Sequence, residues 1–332
     1  PTGGEKDLLA PILISADPNH KSINFNTKKI RINFDEYIKL KDINKQLVIS
    51  PPMDNQPIIT PVGTASKFIN IKILDTLKEN TTYTFNFGNS VEDNNEGNPL
   101  EQFKYVFSTG NYIDSLNVSG TITDAFNKDP DEGVSILLYE VTENFTDSII
   151  YNERPSYVAN ALDSVGFDVT NLKSGKYLMV ALNDANSDYK FNPKTDKIGF
   201  LQDLITLPTD STYNINLFKE ELPFKMIRPS EVKKGHLYFG YEGDVKGLNI
   251  EPLLKQSDSF KSKLVFEKEF DSVSYWHTPI KADSIQFKVT HKSFIDTVTV
   301  KLRSKEIDSL LVNSEGRGTL NLRDTFAITT NI

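Results

Sequence analysis

Lys29-Ile30-Arg31-Ile32-Asn33-Phe34 sets apolar and polar side chains in strict alternation, and that alternation decides the fold. A strand sends successive side chains to opposite faces, so Ile30, Ile32 and Phe34 share one side and Lys29, Arg31 and Asn33 the other. The same period of two returns in Ile69, Ile71 and Ile73 around Asn70 and Lys72. It returns again in Tyr83, Phe85 and Phe87 around Thr84 and Asn86, and in Phe103, Tyr105 and Phe107. One apolar face and one wet face is the pattern of antiparallel sheets stacked in pairs. Pro51-Pro52, Asp54-Asn55 and the run Glu92-Asp93-Asn94-Asn95-Glu96-Gly97-Asn98-Pro99 supply turn chemistry between the strands.

About seven such strands in about 100 residues is the count of an Ig-like β-sandwich, here predicted over residues 11–112 behind a linker at residues 1–10. A second sandwich is predicted over residues 113–222. Residues 116–123 and 134–139 read as strands parted by the turn Asp129-Pro130-Asp131-Glu132-Gly133. Residues 166–170, the turn Lys173-Ser174-Gly175 and the apolar run Tyr177-Leu178-Met179-Val180-Ala181-Leu182 read as a hairpin, and residues 211–218 close the unit. A third β-rich domain is predicted over residues 223–332, with strands at 263–266, 273–276, 285–289 and 298–302. One short helix is expected around Ile250 to Gln256. Asp-Ser and Asp-Thr pairs such as Asp114-Ser115, Asp210-Ser211 and Asp283-Ser284 stand just before strand-forming residues, where both side chains bond nearby amides and set turns. The fold class is therefore all-β, a chain of tandem β-sandwich domains.

The 332 residues carry a formal net charge of -8 and no cysteine. The negative charge disfavours nucleic acid and anionic membrane surfaces, which attract Lys and Arg patches. Disulfides and thiolate metal sites are excluded outright. Apolar runs fall short of the roughly 18 residues a membrane-spanning helix needs. The first residue is Pro1 and not Met, which suggests processing, and residues 324–332 keep a strand pattern to the end, so the polypeptide is expected to continue beyond Ile332.

Oxygen-bearing side chains recur at alternate positions after the apolar run at 177–182. Asp184, Asn186 and Asp188 fit the first, third and fifth positions of a calcium loop, with the Lys190 carbonyl at the seventh. Two features depart from that pattern. Tyr189 stands where a glycine makes the bend, and Thr195 takes the bidentate carboxylate position with Asp196 one residue late. The competing reading is an Asx-rich loop held by its own hydrogen bonds. Calcium is the only cofactor the sequence brings forward. Trp276, the single tryptophan, follows Tyr275, and the pair is a candidate platform for a sugar ring or a partner, with core burial as the alternative. His20, His236, His277 and His291 lack the paired spacing of a zinc site, and no nucleophile elbow, phosphate loop or dinucleotide fingerprint is present. No catalytic residues are assigned.

Several segments carry a family resemblance. Pro1-Thr2-Gly3-Gly4-Glu5-Lys6-Asp7 followed by Pro11 resembles the segment after the lipidated cysteine of Ig-like lipoproteins of Bacteroidota. Phe34-Asp35-Glu36-Tyr37-Ile38, Leu77-Lys78-Glu79-Asn80-Thr81-Thr82-Tyr83, Asp93-Asn94-Asn95-Glu96-Gly97-Asn98 and Phe107-Ser108-Thr109-Gly110 resemble the bacterial Ig-like domain of that family, also met in surface-layer proteins. Gly120-Thr121-Ile122-Thr123-Asp124, Gly133-Val134-Ser135-Ile136-Leu137-Leu138-Tyr139 and Gly175-Lys176-Tyr177 are similar to transthyretin-like, carboxypeptidase-regulatory domains. Together they cover residues 1–220. The resemblance implies a non-enzymatic protein anchored in the outer membrane by a lipid on a cysteine upstream of Pro1, facing the cell surface. Its implied partners are outer-membrane or envelope-complex proteins, such as a transporter barrel or the barrel assembly machinery. A surface glycan-binding lipoprotein, calcium-dependent or not, is the alternative.

Overall fold

The computed structural model describes residues 6–129, 131–161, 165–253, 259–267, 271–278, 280–292, 294–303, 311–315 and 327–330. The chain forms two compact units, Pro1–Glu220 and Glu221–Ile332.

The first unit holds two sandwiches. The N-terminal one is built from β1 (Leu13–Asp17), β2 (Lys29–Leu40), β3 (Val48–Ser50), β4 (Ile58–Thr60), β5 (Ser66–Lys72), β6 (Thr82–Asn86), β7 (Val91–Asp93) and β8 (Lys104–Ser108). One sheet runs β1-β2-β5-β4, with β7 also on β2, and the other runs β3-β6-β8. Every apolar position of the alternating runs is buried between them, from Ile30, Ile32 and Phe34 to Phe103, Tyr105 and Phe107. A stack of Phe25, Phe107 and Tyr83 fills the middle, with ring centroids 3.9 and 5.4 Å apart. The expectation of a wet outer face fails on β6. Thr82 and Thr84 are buried, because the second sandwich covers that face.

The second sandwich comprises β9 (Leu116–Asp124), β10 (Val134–Glu140), β11 (Tyr157–Ala161), β12 (Gly166–Leu172), β13 (Gly175–Asn183), β14 (Lys197–Phe200), β15 (Ile205–Leu207) and β16 (Thr212–Leu217). Its sheets run β11-β10-β13-β14, with β15 also on β13, and β12-β9-β16, where β9 and β16 are parallel. Gly120 lets these strands approach. A methyl group there would collide with the Tyr213 carbonyl and the Phe167 ring. The near-continuous apolar runs of β10 and β13 follow from burial on both faces. One face meets β12-β9-β16, and the other packs Leu137, Tyr139, Val158, Val180 and Leu182 beneath Phe191 and against Val48 of the first sandwich.

The second unit contains β17 (Lys225–Met226), β18 (Ser230–Lys233), β19 (His236–Glu242), β20 (Asn249–Pro252), β21 (Ser262–Glu267), β22 (Ser272–His277), β23 (Ser284–His291), β24 (Phe294–Lys301), β25 (Val312–Glu315) and β26 (Ala327–Thr330). A sheet β17-β19-β22-β21, with β18 also on β19, faces a sheet β20-β23-β24 across Phe239, Tyr275 and Phe287. β25 and β26 pair with each other. The helix expected around Ile250 is a strand. Ile250 pairs with Val289 in β20, and Pro252 is tolerated because β20 lies at a sheet edge. Gln256 lies outside the described residues. Among the described residues the short helices are α1 (Ile43–Gln46) and α2 (Ile149–Asn152), neither of which the apolar periodicity signals.

Candidate functional site

The acidic loop leaves the end of β13 and returns into β14, and its carboxylates turn inward. Asp184 accepts the amides of Asn186, Ser187 and Tyr189 at 2.9, 2.8 and 2.6 Å. Asp196, fully buried, accepts the amides of Ala185 and Asn192 and the Thr195 hydroxyl. Asp188 accepts the Lys190 amide at 2.9 Å. The structure thus brings Asp184 and Asp196 to opposite ends of one tight loop, while Asn186 stays exposed. Each carboxylate offers about four acceptor positions, and three are taken on both Asp184 and Asp196. Burial pushes the Asp184 carboxyl up against the lowering effect of those amides. Among the described residues no three His, Asp or Glu side chains converge as a metal ion requires. Tyr189 does adopt the left-handed backbone (φ 61°) of the glycine it replaces in the calcium-loop pattern.

The loop also has a packing task. Phe191 lies on the outer face of the β10–β13 sheet, the Phe191 amide donates to the Ile150 carbonyl, and Tyr139 Oη donates to the Tyr189 carbonyl. Asp184 and Tyr189 further line a cavity of about 440 Å³ with Ile43, Lys45, Gln56 and Asn160, at the meeting of the two sandwiches of the first unit.

Beside the loop stands an ion cluster that sequence spacing does not signal. Lys197 Nζ lies 2.7 Å from Asp131 and 2.9 Å from Asp124, whose side chain is fully buried. Although burial opposes it, the Lys197 ammonium with the Phe126 and Asn127 amides holds the Asp124 carboxyl down at about 2. The partners come from β9, β14 and the turn between β9 and β10, so only the folded chain assembles them. In the N-terminal sandwich, Asp93 accepts the amides of Asn95, Glu96 and Asn98 and organises the other acidic run as a turn.

In the second unit, Tyr275 points into the core, while Trp276, one residue on, faces outward and stays partly exposed. Tyr275 is therefore a core residue and not part of an exposed platform, since neighbouring strand residues face opposite sides. The Trp276 indole stacks on the His236 ring, 3.9 Å between centroids and 3° from parallel, with Lys233 Nζ 5.4 Å from the indole centroid. His236 Nε2 lies 3.0 Å from Ser274 Oγ, whereas Nδ1 has no hydrogen-bond partner. A serine–histidine pair of the hydrolytic kind needs a group orienting the second nitrogen, and none is found among the described residues.

The architecture defines a class: the chain is a nearly all-β protein of tandem β-sandwiches, consistent with Ig-like domains. Within it, residues 7–109 match the family model of the bacterial Ig-like domain. Solved structures similar to the chain include a surface-layer protein SbsC (10% identity, TM-score 0.22), covering 98% of this chain and 63% of that one. A marsupial T cell receptor (11% identity, TM-score 0.18) covers 87% and 99%. The I9–I11 tandem of titin (9% identity, TM-score 0.17) covers 88% and 98%. The chain thus spans under two thirds of the length of the surface-layer protein. No curated protein matches the sequence.

Proposed function

We propose that the protein is a non-catalytic envelope subunit, lipid-anchored at the outer membrane, whose Ig-like modules dock on another envelope protein such as an outer-membrane barrel. The observation that carries this reading is an exposed apolar row that runs into β1 (Leu13–Asp17), an edge strand. Leu8, Leu9, Ile12 and Ile14 are 79, 71, 61 and 64% exposed, and among the described residues β1 pairs only with β2. The backbone beneath them is held: Asn98 Nδ2 donates to the carbonyls of Asp7 and Leu9, and the Ile12 amide donates to Asp35 Oδ1. These side chains are presented from a tethered segment that leads into an edge strand, a geometry that accepts an apolar partner surface or an added strand. Purification from native membranes in mild detergent tests the reading. A stoichiometric partner, lost in a variant with Leu8, Ile12 and Ile14 replaced by Ser, supports it, and recovery of the chain alone refutes it.

A second reading, a surface glycan-binding lipoprotein, calcium-dependent or not, is favoured by the partial exposure of Trp276. Retention on a polysaccharide column that disappears in Trp276→Ala supports it. Calcium at the acidic loop requires that the ion raise the melting temperature of the parent and not of the Asp184→Ala and Asp188→Ala variants.

A further inference from the structure

In the second unit, the loop before β18 and the end of β24 enclose a cleft of about 370 Å³ that includes Arg228, Ser230, Glu231, Thr299, Lys301 and Arg303. Strand alternation explains the clustering. Val298 and Val300 turn toward the core, so Thr299 and Lys301 project the other way, and Arg303 continues the same parity. From the opposite wall come Arg228 and Ser230. The Arg303 main chain is anchored, its amide donating to Glu231 Oε2 at 2.5 Å. Among the described residues, the side chains of Arg228, Lys301 and Arg303 make no ion pair. Among the described residues, three cations and one carboxylate line the cleft, an excess of two positive charges on a chain of net charge -8.

Like charges that outnumber the counter-charge beside them raise the local potential and draw in an anion. Two guanidinium forks, an ammonium and two hydroxyls match the oxygens of a phosphate group better than they match a single carboxylate. A phosphate monoester carries about -1.5 to -2 at neutral pH, which balances the excess, whereas a carboxylate balances half of it. We propose that this cleft is a binding site for a phosphate monoester, with Arg228 and Arg303 as forked donors, Lys301 as the point charge and Ser230 and Thr299 as hydroxyl donors. The proposal is independent of the docking edge in the first unit.

Titration of the full chain with inorganic phosphate and with glycerol phosphate, followed by phosphorus NMR and calorimetry, tests it. Because each lost charge-assisted bond contributes about 1.5–3 kcal/mol, Arg228→Ala and Arg303→Ala should each weaken binding about tenfold or more. Lys225→Ala, which removes a cation of the same unit outside the cleft, should change it less than about twofold. Acetate should bind more weakly than phosphate. Co-sedimentation with phosphatidylcholine vesicles, with and without phosphatidic acid, tells the sources apart. Binding only when phosphatidic acid is present assigns the phosphate to a lipid surface, and phosphate binding without vesicle binding assigns it to a soluble ester. Either supports the site if the two arginine variants lose it while keeping the parent melting temperature. Failure to bind any of these probes, equal binding of acetate, or affinity unchanged in the double arginine variant overturns it.

Discussion

Thr84 Oγ1 donates to Asn171 Oδ1 across 3.1 Å, joining strands of two sandwiches that lie 87 residues apart in the chain. The same Asn171 gives its amide to the Asp114 carbonyl at 2.8 Å, so one side chain ties both sandwiches to the segment between them. Asp114 in turn exchanges hydrogen bonds with Thr82. Around this point the Val158 amide donates to Ser50 Oγ at 3.0 Å, Lys173 Nζ donates to the Asn80 carbonyl and Arg154 donates to the Met53 carbonyl. β3 and β11, each an edge strand of its own sheet, are covered together by this junction, which shields two edges otherwise open to unwanted pairing.

Asn171 sits in the left-handed region, φ 62°, where asparagine is tolerated and alanine strained. Asn171→Ala loses two part-buried hydrogen bonds as well as that tolerance, and should destabilise the first unit by about 2–4 kcal/mol. Asn171→Gly loses the bonds while accommodating the backbone, so it should be milder by about 1 kcal/mol. Urea denaturation of the two variants measures the difference. Equal midpoints would mean the backbone conformation contributes nothing.

The Lys197 cluster predicts an acid-sensitive term. The Asp124 carboxyl is held at about 2 in the folded protein and returns to about 3.9 when unfolded. A depressed carboxyl stabilises the fold fully above the unfolded value, and the contribution fades as pH falls through the folded one. Melting temperature should therefore drop between pH 4 and 2 in the parent, and Asp124→Asn should flatten that limb while lowering the melting temperature at pH 7. Lys197→Met leaves Asp124 buried without its cation. Since Lys197 keeps some contact with water, the expected loss is about 1–3 kcal/mol.

The N-terminal core was legible because its signal is local: Ile69, Ile71 and Ile73 each bury as their alternation requires. The burial of Thr84 was not, since the residue that covers it, Asn171, comes from a different sandwich. Ile250 misled for another reason. The seven residues from Ile250 to Gln256, with a proline among them, carry too little periodicity to separate helix from strand, and pairing with Val289 decided the matter. In the acidic loop, the sequence located the turn chemistry at Asp184, but not that Tyr189 and Phe191 tuck the loop onto the sheet. The Lys197 cluster and the cationic cleft draw on residues far apart in sequence, so no spacing rule could find them.

That tuck predicts which loop residues matter for stability. Phe191→Ala uncovers Leu137, Val180 and Leu182 and should destabilise by about 3–4 kcal/mol. Asp196→Ala strands the amides of Ala185 and Asn192 and should cost about 2 kcal/mol or more, whereas exposed Asn186→Ala should fall within about 0.5 kcal/mol. Hydrogen exchange at residues 185 and 192 gives a local reading. Unchanged protection there in Asp196→Ala would remove the carboxylate from the loop's support.

The last prediction concerns the stacked pair on the second unit. Burial, then the charge of Lys233, lowers the His236 pKa below its usual value, and the Trp276 indole supplies part of that cover. A histidine held neutral in the fold stabilises it above the unfolded pKa of about 6.5, and the contribution is lost as pH falls below that value. Trp276→Ala opens the ring to water, so the His236 titration, followed by NMR, should move up toward the unperturbed value, and the lost stacking should lower stability by about 0.5–1.5 kcal/mol. Lys233→Ala should move the titration the same way while leaving the indole in place. Comparing the two separates cover from charge. If neither variant shifts the titration, neither the indole nor the Lys233 charge is the source of the lowering, and burial by the rest of the fold carries it.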